Sequence, residues 1–486
     1  MAAYPINNQV SAIMLFSSST TIKALLFKRR ITPFFVLAGF VGGFWAVPVS
    51  AASVSAEDSL RAGLMRSDIL ESERQAFVVA RQAIATSDAK NNLTGTFAVS
   101  GSHIQTDAKD TAGGFVSSNS RSGSVTIKKQ IYDFGEADSR MESARYGMDT
   151  ARASYQQAEQ QVILDILTAH VNVITAQKAF DIRTANKERL EAQTEAENIK
   201  LEAGTSTPTK LAEAEARLAR AISDQILAEA NLQSAQEAYQ SLTGLADFSL
   251  QPVLLRQDIL PASINEAEQM AGREHPMILS GLAAEKQAGN EFQILKNSLL
   301  PKVNLSLSAV QNDQKGTSMD KDEVSTKLEL STPFLVTEGS RAADRRAAAG
   351  LNRSRAQLSE TRRVVRLSAR KAYRDFQAAS AQLTSVEAEI KAARLVAQGT
   401  ASEVEYGLKT FLDLLDTEQD LSDTELRLVQ TQEAIVLNGY RLLQATGRLS
   451  VELFLPKDLL PALDSISDPA SRYPFIIAIS SGSREP

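Results

Sequence analysis

The sequence has no cysteine, only three histidines and a single tryptophan among its 486 residues. Without cysteine there is no disulfide, no thiolate metal ligand, no cysteine nucleophile and no lipid anchor on a cysteine. The histidines, at His103, His170 and His275, are too widely spaced for a zinc-binding motif. These absences exclude thiol chemistry, and we expect neither a cofactor nor a metal site.

Long apolar segments and an excess of basic charge are also absent. The mean hydropathy is −0.17, too polar for a protein with several membrane-spanning helices, since each needs about 20 apolar residues. The chain has 52 basic and 58 acidic side chains, a net charge of −6. We expect no nucleic acid partner, because phosphate binding requires a basic surface. The sequence contains no phosphate-binding loop or catalytic triad motif, and we therefore predict that it is not an enzyme.

One short apolar run lies near the amino terminus. A basic cluster at 28–30 precedes the apolar stretch 34–47, and Pro-Val-Ser-Ala follows at 48–51. This order is typical of a secretory signal peptide. We predict cleavage after Ala51, so that residues 1–51 are removed on export. The alternative is a single membrane anchor, which the shortness of the run disfavours.

The remaining sequence contains an internal duplication. Gly204 and Gly407 each stand 40 residues before the glycine of a Thr-Gly pair, at Gly244 and Gly447. Equivalent positions are 203 to 206 residues apart at four separate places, which predicts two related copies. The predicted divisions are two copies, 52–250 and 262–455, and a turn-rich tail, 456–486.

Each copy predicts a helix, two strands, a very long helix and a shorter helix. The strands alternate apolar with polar residues, so each has one apolar and one polar face. The long helices carry apolar or alanine residues in alternating steps of three and four, as in coiled coils. In the first copy we predict a helix at about 68–89, strands at about 93–105 and 122–133, and helices at about 136–203 and 209–242. In the second we predict a helix at about 276–299, strands at about 302–311 and 324–333, and helices at about 340–404 and 412–445.

The four amphipathic strands have two interpretations. In a soluble protein the strands would form a small sheet with its apolar face buried, and the long helices would serve only to pack against one another. In a membrane barrel it would contact lipid, and the polar face would line a water-filled lumen. Four strands cannot close a barrel, because the smallest have about eight, and open edges are not tolerated in lipid. The membrane interpretation therefore requires several copies of the chain.

On these features the chain resembles the TolC family of outer-membrane efflux and secretion channels, over roughly residues 60–450. The similarity is carried by the duplicated unit, by Ile131-Tyr-Asp-Phe-Gly at a strand end, by Leu300-Pro301 entering a strand and by the two glycine turns. It implies a mostly α-helical fold with a small transmembrane β part. A homotrimer would form a 12-stranded β-barrel in the outer membrane of a Gram-negative bacterium, continuous with a long α-helical coiled-coil barrel in the periplasm. The implied partners are outer-membrane lipid, a periplasmic adaptor protein and an inner-membrane pump of ABC or RND type.

The resemblance also assigns residues at the periplasmic tip. Asp413 and Asp416 match paired aspartates of the closed tip, where they would favour cations and raise one another's pKa by repulsion. Lys409 matches a family arginine that latches the tip, but Lys210, next to Thr209, replaces the carboxylate partner. The latch of this chain is therefore expected to differ. The turns that match adaptor-docking turns contain Gly204, Thr205, Gly407 and Leu408.

We predict the outer-membrane channel of a tripartite efflux pump or type I secretion system, a passive export duct gated at its periplasmic tip. The alternative is a periplasmic coiled-coil adaptor or scaffold without a pore. The strand alternation favours the channel, because an adaptor has no need of lipid-facing strands.

Overall fold

The computed structural model describes residues 53–89, 92–107, 115–246, 249–315, 321–335 and 337–455. The predicted signal peptide, including Ala51, and the predicted tail lie outside these residues. The first copy contains β1 (Ser53–Val54), α1 (Ala56–Arg66), α2 (Asp68–Ala89), β2 (Thr94–Asp107), β3 (Phe115–Tyr132), α3 (Glu136–Glu202) and α4 (Pro208–Thr243). The second contains β4 (Ser249–Leu250), α5 (Ile264–Glu274), α6 (Pro276–Ser298), β5 (Lys302–Lys315), β6 (Lys321–Ser331), α7 (Glu338–Glu405) and α8 (Phe411–Ala445).

Three of the four long strands start at least three residues earlier, or end at least three residues later, than the side-chain alternation predicts. β3 begins at Phe115 instead of about 122, β5 continues to Lys315 instead of about 311, and β6 begins at Lys321 instead of about 324. In the added part of β3, Ser117 still pairs with Gln105 of β2. Backbone pairing continues there although the side chains no longer alternate, because ladder hydrogen bonds do not depend on side-chain polarity.

The turn from β3 into α3 depends on two residues with positive φ. Phe134 has φ 53° and Gly135 has φ 79°, a conformation that glycine adopts without strain. The carboxylate of Asp133 accepts hydrogen bonds from the backbone N–H groups of Gly135, at 3.1 Å, and Ala137, at 2.8 Å. These bonds satisfy donors that a helix start leaves unpaired, so the chain turns directly from sheet into helix.

The helices lie in a fixed order beside one another. α2 and α4 pack along α3, while α6 and α8 pack along both α3 and α7. α3 has 67 residues and α7 has 68, which at 1.5 Å per residue makes each about 100 Å long. Two shorter helices in succession therefore cover each long one. Among the described helices, none combines the length and apolar character needed to cross a membrane.

The largest apolar core surrounds the middle of α3. Side chains of α1, α2 and α8 and of the segments after α4 and α8 converge there. Because these segments contact the middle of α3 from different sides, consecutive residues of this helix are buried there. The fully buried members include Leu60, Ile163, Leu167, Leu443 and Leu449.

Candidate functional site

The four long strands form one antiparallel sheet in the order β2-β3-β5-β6. Strand pairing places one apolar row across all four strands, made of Phe97, Val125, Ala309 and Val324. Successive residues of a strand point to opposite faces, so the adjacent row lies on the other face. That row consists of four hydroxyl residues, Thr96, Thr126, Ser308 and Ser325.

The apolar face is not covered by other described parts of the chain. Phe97 is 74% exposed, Val324 77% and Leu328 70%. The polar face has its own hydrogen bonds, such as Ser100 Oγ to Ser122 Oγ at 2.7 Å. An uncovered apolar face across four strands indicates contact with lipid or a partner. The soluble-sheet interpretation requires a cover that the described chain does not supply.

The sheet ends in two unpaired edges. β2 has only β3 as a neighbour and β6 has only β5 within this sheet. In lipid, unpaired backbone N–H and C=O groups are too costly to leave exposed. The arrangement of one chain is therefore suited to a larger closed sheet, in which other chains pair with both edges.

At the other end of the long helices, the two copies make the same glycine turn. Gly204 has φ 76° and Gly407 has φ 71°, the left-handed conformation that commonly ends a helix. Thr205 N–H donates to the carbonyl of Lys200 at 2.8 Å, and Leu408 N–H donates to that of Glu403 at 2.8 Å. The predicted docking turns therefore share one backbone geometry, and the side chain of Leu408 is 77% exposed.

Asp413 caps the start of α8. Its Oδ2 accepts hydrogen bonds from the hydroxyl of Thr410, at 2.6 Å, and from the Thr410 backbone N–H, at 2.8 Å. The side-chain hydrogen bond first, and the backbone one second, hold the pKa of Asp413 below its usual value. Within one chain this direction is opposite to the rise expected from repulsion between aspartates.

Asp416 and Lys409 are each paired within the chain. Asp416 forms an ion pair with Arg217 of α4. Lys409 Nζ is 2.9 Å from Glu403 and 3.3 Å from the hydroxyl of the buried Thr400. The structure thus gives Lys409 a partner on its own helix hairpin, in place of a carboxylate at position 210.

Thr209 and Lys210 lie in the first turn of α4 and are exposed. The positive charge of Lys210 is one of the causes that lower the pKa of Glu197, near the end of α3. Burial opposes ionisation of Glu197, but hydrogen bonds from Lys200 and Ser206, both 2.7 Å long, outweigh it and lower its pKa. Lys210 therefore contributes to a charged cluster at the turn of the first copy.

Three further contacts join α8 to the first copy above the tip, and sequence reasoning missed them. Arg183 of α3 is 2.9 Å from Asp423, and its other contact is Ser422 at 3.2 Å. Gln193 donates to Glu418 at 2.6 Å. Burial raises the pKa of Glu418, and this hydrogen bond only partly opposes the rise. Together with Arg217–Asp416, these contacts tie α8 to α3 and α4.

A signal for these contacts was present in the sequence. Asp416 and Asp423 are seven residues apart and so recur on one side of α8. Charges repeated at this interval are equally typical of a helix face exposed to solvent. Only the packing of α8 on α3 distinguishes the two readings.

A duplicated chain with long paired helices, a sheet that is apolar on one side, and open edges on that sheet defines a channel-forming envelope protein. The chain belongs to the outer membrane efflux protein family, whose model matches residues 69–245 and 268–448. The two matched stretches fall in the two copies. The predicted family, outer-membrane location and channel function are thereby confirmed.

Individual relatives agree with this assignment. The chain is 26% identical over 373 residues to the outer membrane efflux protein BepC of Brucella suis, covering 76% of this chain and 80% of that protein. It is 22% identical over 384 residues to the outer membrane protein TolC of Escherichia coli, covering 75% and 76%. The crystal structure of the CmeC outer membrane channel of Campylobacter jejuni superposes with a TM-score of 0.73 at 14% identity, covering 81% and 85%. This last likeness shows the fold.

Proposed function

We propose that three copies of this chain form a passive export duct, with a 12-stranded barrel in the outer membrane and a helical tunnel in the periplasm. The observation that carries the proposal is the four-stranded sheet, whose apolar face is exposed and whose two edges are unpaired. Three such sheets joined edge to edge give a closed barrel with the hydroxyl row inside. The energy for transport comes from a partner, because this chain acts as a conduit and not as an enzyme.

The tip of the duct lies at the two glycine turns. We propose that the turns with Gly204, Thr205, Gly407 and Leu408 dock a periplasmic adaptor protein, which links the duct to an inner-membrane pump. The exposed backbone turns and the exposed Leu408 side chain support this role. BepC is named as an efflux protein, which supports efflux as the function of this chain. The alternative function is protein secretion through a type I system.

The tip also forms the gate. Asp413 and Asp416 would bring six carboxylates near the axis of a trimer, and such a ring favours cations. Because Arg217 balances Asp416 within the chain, Asp413 is the larger contributor to this selectivity. Lys409, Thr209 and Lys210 belong to the same gate, but the latch is formed chiefly by α8 contacts with Arg217 and Arg183.

Electrical recording from planar bilayers tests the proposal. The purified trimer should give discrete channels with a preference for cations. Asp413→Asn should reduce that preference more than Asp416→Asn, whereas Arg217→Ala should raise the open probability because it releases α8 from α4. Asp420→Asn, on the same helix but without a role in the proposed ring, is the matched control. A folded trimer that conducts no ions would reject the duct.

Fractionation tests the pore-free alternative. A periplasmic adaptor or scaffold would be recovered in the soluble fraction after cell lysis, without heat-modifiable β structure. The proposed duct would remain in the outer-membrane fraction after extraction with urea. The exposed apolar row on the sheet favours the second result.

A further inference from the structure

A cavity of about 720 Å³ lies where the start of α6 meets the end of α8. Its lining comes from both copies of the duplicated unit, since α2 and α3 contribute to it as well as α6, α7 and α8. Gln160 of α3 and Ala445 of α8 are buried at its floor, whereas Glu73 of α2 and Lys371 of α7 lie at its more open sides. Sites for small molecules usually have volumes of about 300–1,000 Å³, so this cavity has the size of a ligand site.

The cavity lies on the side of the helices that is turned away from α5. Arg370 of α7 forms an ion pair with Glu268 of α5. Lys371 and Asp375 of α7 line the cavity, and at 3.6 residues per turn they point about 100° and 140° away from Arg370. An additional helix inside a ring of helices would obstruct a duct, so in the proposed trimer α5 lies outside and the cavity opens into the lumen.

Charges of both signs line the cavity. Glu73 and Asp375 are acidic, and Lys371 and Arg441 are basic. Within the described residues, Glu73, Lys371 and Asp375 have no ion-pair partner. Lys371 and Asp375 remain apart although they are four residues apart on one helix, a spacing that allows pairing. These charges are therefore available to a ligand.

Neutral hydrogen-bonding groups lie beside the charges. Gln444 of α8 donates to Gln161 of α3 at 3.0 Å, which joins the two helices at the cavity. Gln157, one turn from Gln161, has no hydrogen-bond partner within the described residues. His275 accepts a hydrogen bond at Nδ1 from the backbone N–H of Met277, at 3.2 Å, so its Nε2 carries the proton. Burial lowers the pKa of His275, and the neutral ring adds no third positive charge near pH 7.

We propose that this cavity binds a small zwitterionic molecule with amide groups, of the kind represented by a short peptide, as it passes along the duct. The carboxylate of the ligand lies at Lys371 and Arg441, its ammonium group lies at Asp375 and Glu73, and its amides bond to Gln157. The inference rests on the duct proposed above and adds a class of cargo.

Other classes of ligand fit the lining less well. A ligand with charge of one sign would bring like charges together, which is unfavourable. An apolar ligand would remove water from four charged groups without replacing their hydrogen bonds, which is costly. A zwitterion alone satisfies both pairs of charges.

Titration calorimetry on the full chain in detergent tests the site with three related peptides. Triglycine has a charged amine and a charged carboxylate, N-acetyltriglycine has only the carboxylate charge, and triglycine amide has only the amine charge. Triglycine should bind saturably and more tightly than either blocked peptide. No saturable binding of triglycine, or equal affinity for all three peptides, would overturn the site.

Two substitutions in the cavity assign the ends of the ligand. Lys371→Gln should weaken the binding of triglycine about fivefold, but it should not weaken that of triglycine amide, which lacks the carboxylate. Asp375→Asn should weaken the binding of triglycine to a similar extent, but not that of N-acetyltriglycine. Lys391→Gln, at an exposed position of α7 away from the cavity, is the matched control and should change none of the affinities. Circular dichroism shows whether each variant is helical, and equal losses for charged and blocked peptides would overturn the assigned contacts.

A thiol label tests whether the cavity opens into the lumen. The chain has no cysteine, so Ser368→Cys places the sole thiol in the cavity and Gln269→Cys places it on the exposed side of α5. A bulky thiol reagent should reduce the current through Ser368→Cys channels and leave Gln269→Cys channels unchanged. The opposite result would place the cavity outside the duct and overturn its role for cargo.

The proposed site and the proposed duct fail in different ways. Channels that conduct ions, from a chain that does not bind triglycine, would overturn the site and leave the duct intact. A folded chain that binds triglycine with the expected losses, but conducts no ions, would reject the duct and the passage of cargo along it.

Discussion

His170 is fully buried where α3 meets α1 and α4. Its Nε2 is 2.8 Å from the carbonyl oxygen of Gln251, so Nε2 carries the proton and donates. Nδ1 then accepts from the hydroxyl of Ser59 at 2.8 Å, and that hydroxyl oxygen is 2.7 Å from the hydroxyl of Tyr239. The neutral imidazole thus joins four segments of the chain by hydrogen bonds.

This histidine predicts a pH dependence of stability. Burial lowers the pKa of His170, and the hydrogen bond with Gln251 only partly opposes the shift. Below about pH 6.5 the unfolded chain takes up a proton that the folded chain resists, so stability falls with falling pH. Between pH 7 and pH 5, the thermal unfolding midpoint of His170→Gln should therefore fall less than that of the unmodified protein. Circular dichroism in detergent measures both midpoints. The two pH values are chosen to lie on either side of about 6.5, the ordinary histidine pKa.

His103→Gln is the matched control. His103 is exposed on β2, where its Nδ1 is 2.6 Å from Asn119. In His103→Gln, the thermal unfolding midpoint should fall between pH 7 and pH 5 by as much as in the unmodified protein. Equal slopes for His170→Gln and the unmodified chain would contradict the role assigned to His170.

At the scale of the element, we expect glycine-to-alanine substitution to have opposite effects at Gly407, in a turn, and at Gly399, inside a helix. Gly407 adopts φ 71° after α7, where an alanine is strained although no atom blocks its Cβ. Gly399 is helical within α7, also with open space around a Cβ. We expect Gly407→Ala to destabilise the tip by about 1 kcal/mol and Gly399→Ala to stabilise it by about 0.5–1 kcal/mol.

Hydrogen exchange of the last turns of α7 and the first turn of α8 measures both effects. Gly407→Ala should speed exchange there and Gly399→Ala should slow it, while the core around α3 is unchanged. Unchanged or slower exchange in Gly407→Ala would show that the turn does not require its left-handed glycine.

Element types could be predicted because the sequence periods of two and about 3.6 are intrinsic to each element. The partners of each helix could not be predicted in the same way. After Val162 the apolar positions of α3 change to Ile166, a pattern that resembles a shift of heptad register. In the structure α3 is continuous, and Ile163 and Leu164 between them are buried as well. Helices on several sides of α3 bury successive residues. The apolar pattern of one helix does not reveal how many other helices pack against it.

The same limit applied to the site. The capping position of Asp413 could have been predicted from Thr410 three residues earlier, which is the local capping-box pattern. The pairing of Arg217 with Asp416 joins residues 199 apart, and its prediction requires knowledge of which helices are neighbours. Local chemistry was therefore accessible from the sequence, whereas the contacts that join α8 to α3 and α4 were not.

At the scale of the whole molecule, adjacent residues of β3 test the orientation of the sheet. Val125 belongs to the exposed apolar row, and Thr126 belongs to the hydroxyl row on the opposite face. An arginine on the lipid side of a barrel costs about 2–4 kcal/mol near the bilayer midplane, whereas substitutions on the lumen side change selectivity. Val125→Arg should therefore reduce the urea-resistant, heat-modifiable trimer in outer-membrane fractions.

Thr126→Arg is the matched variant, because it adds the same side chain one residue away. It should assemble normally, and its channels should show a weaker preference for cations in bilayer recordings, since the new positive charge faces the lumen. If Val125→Arg assembled and Thr126→Arg did not, the hydroxyl row would face lipid and the proposed barrel would be inside out. If both failed alike, both faces of the sheet would be packed against protein, as in a protein without a pore.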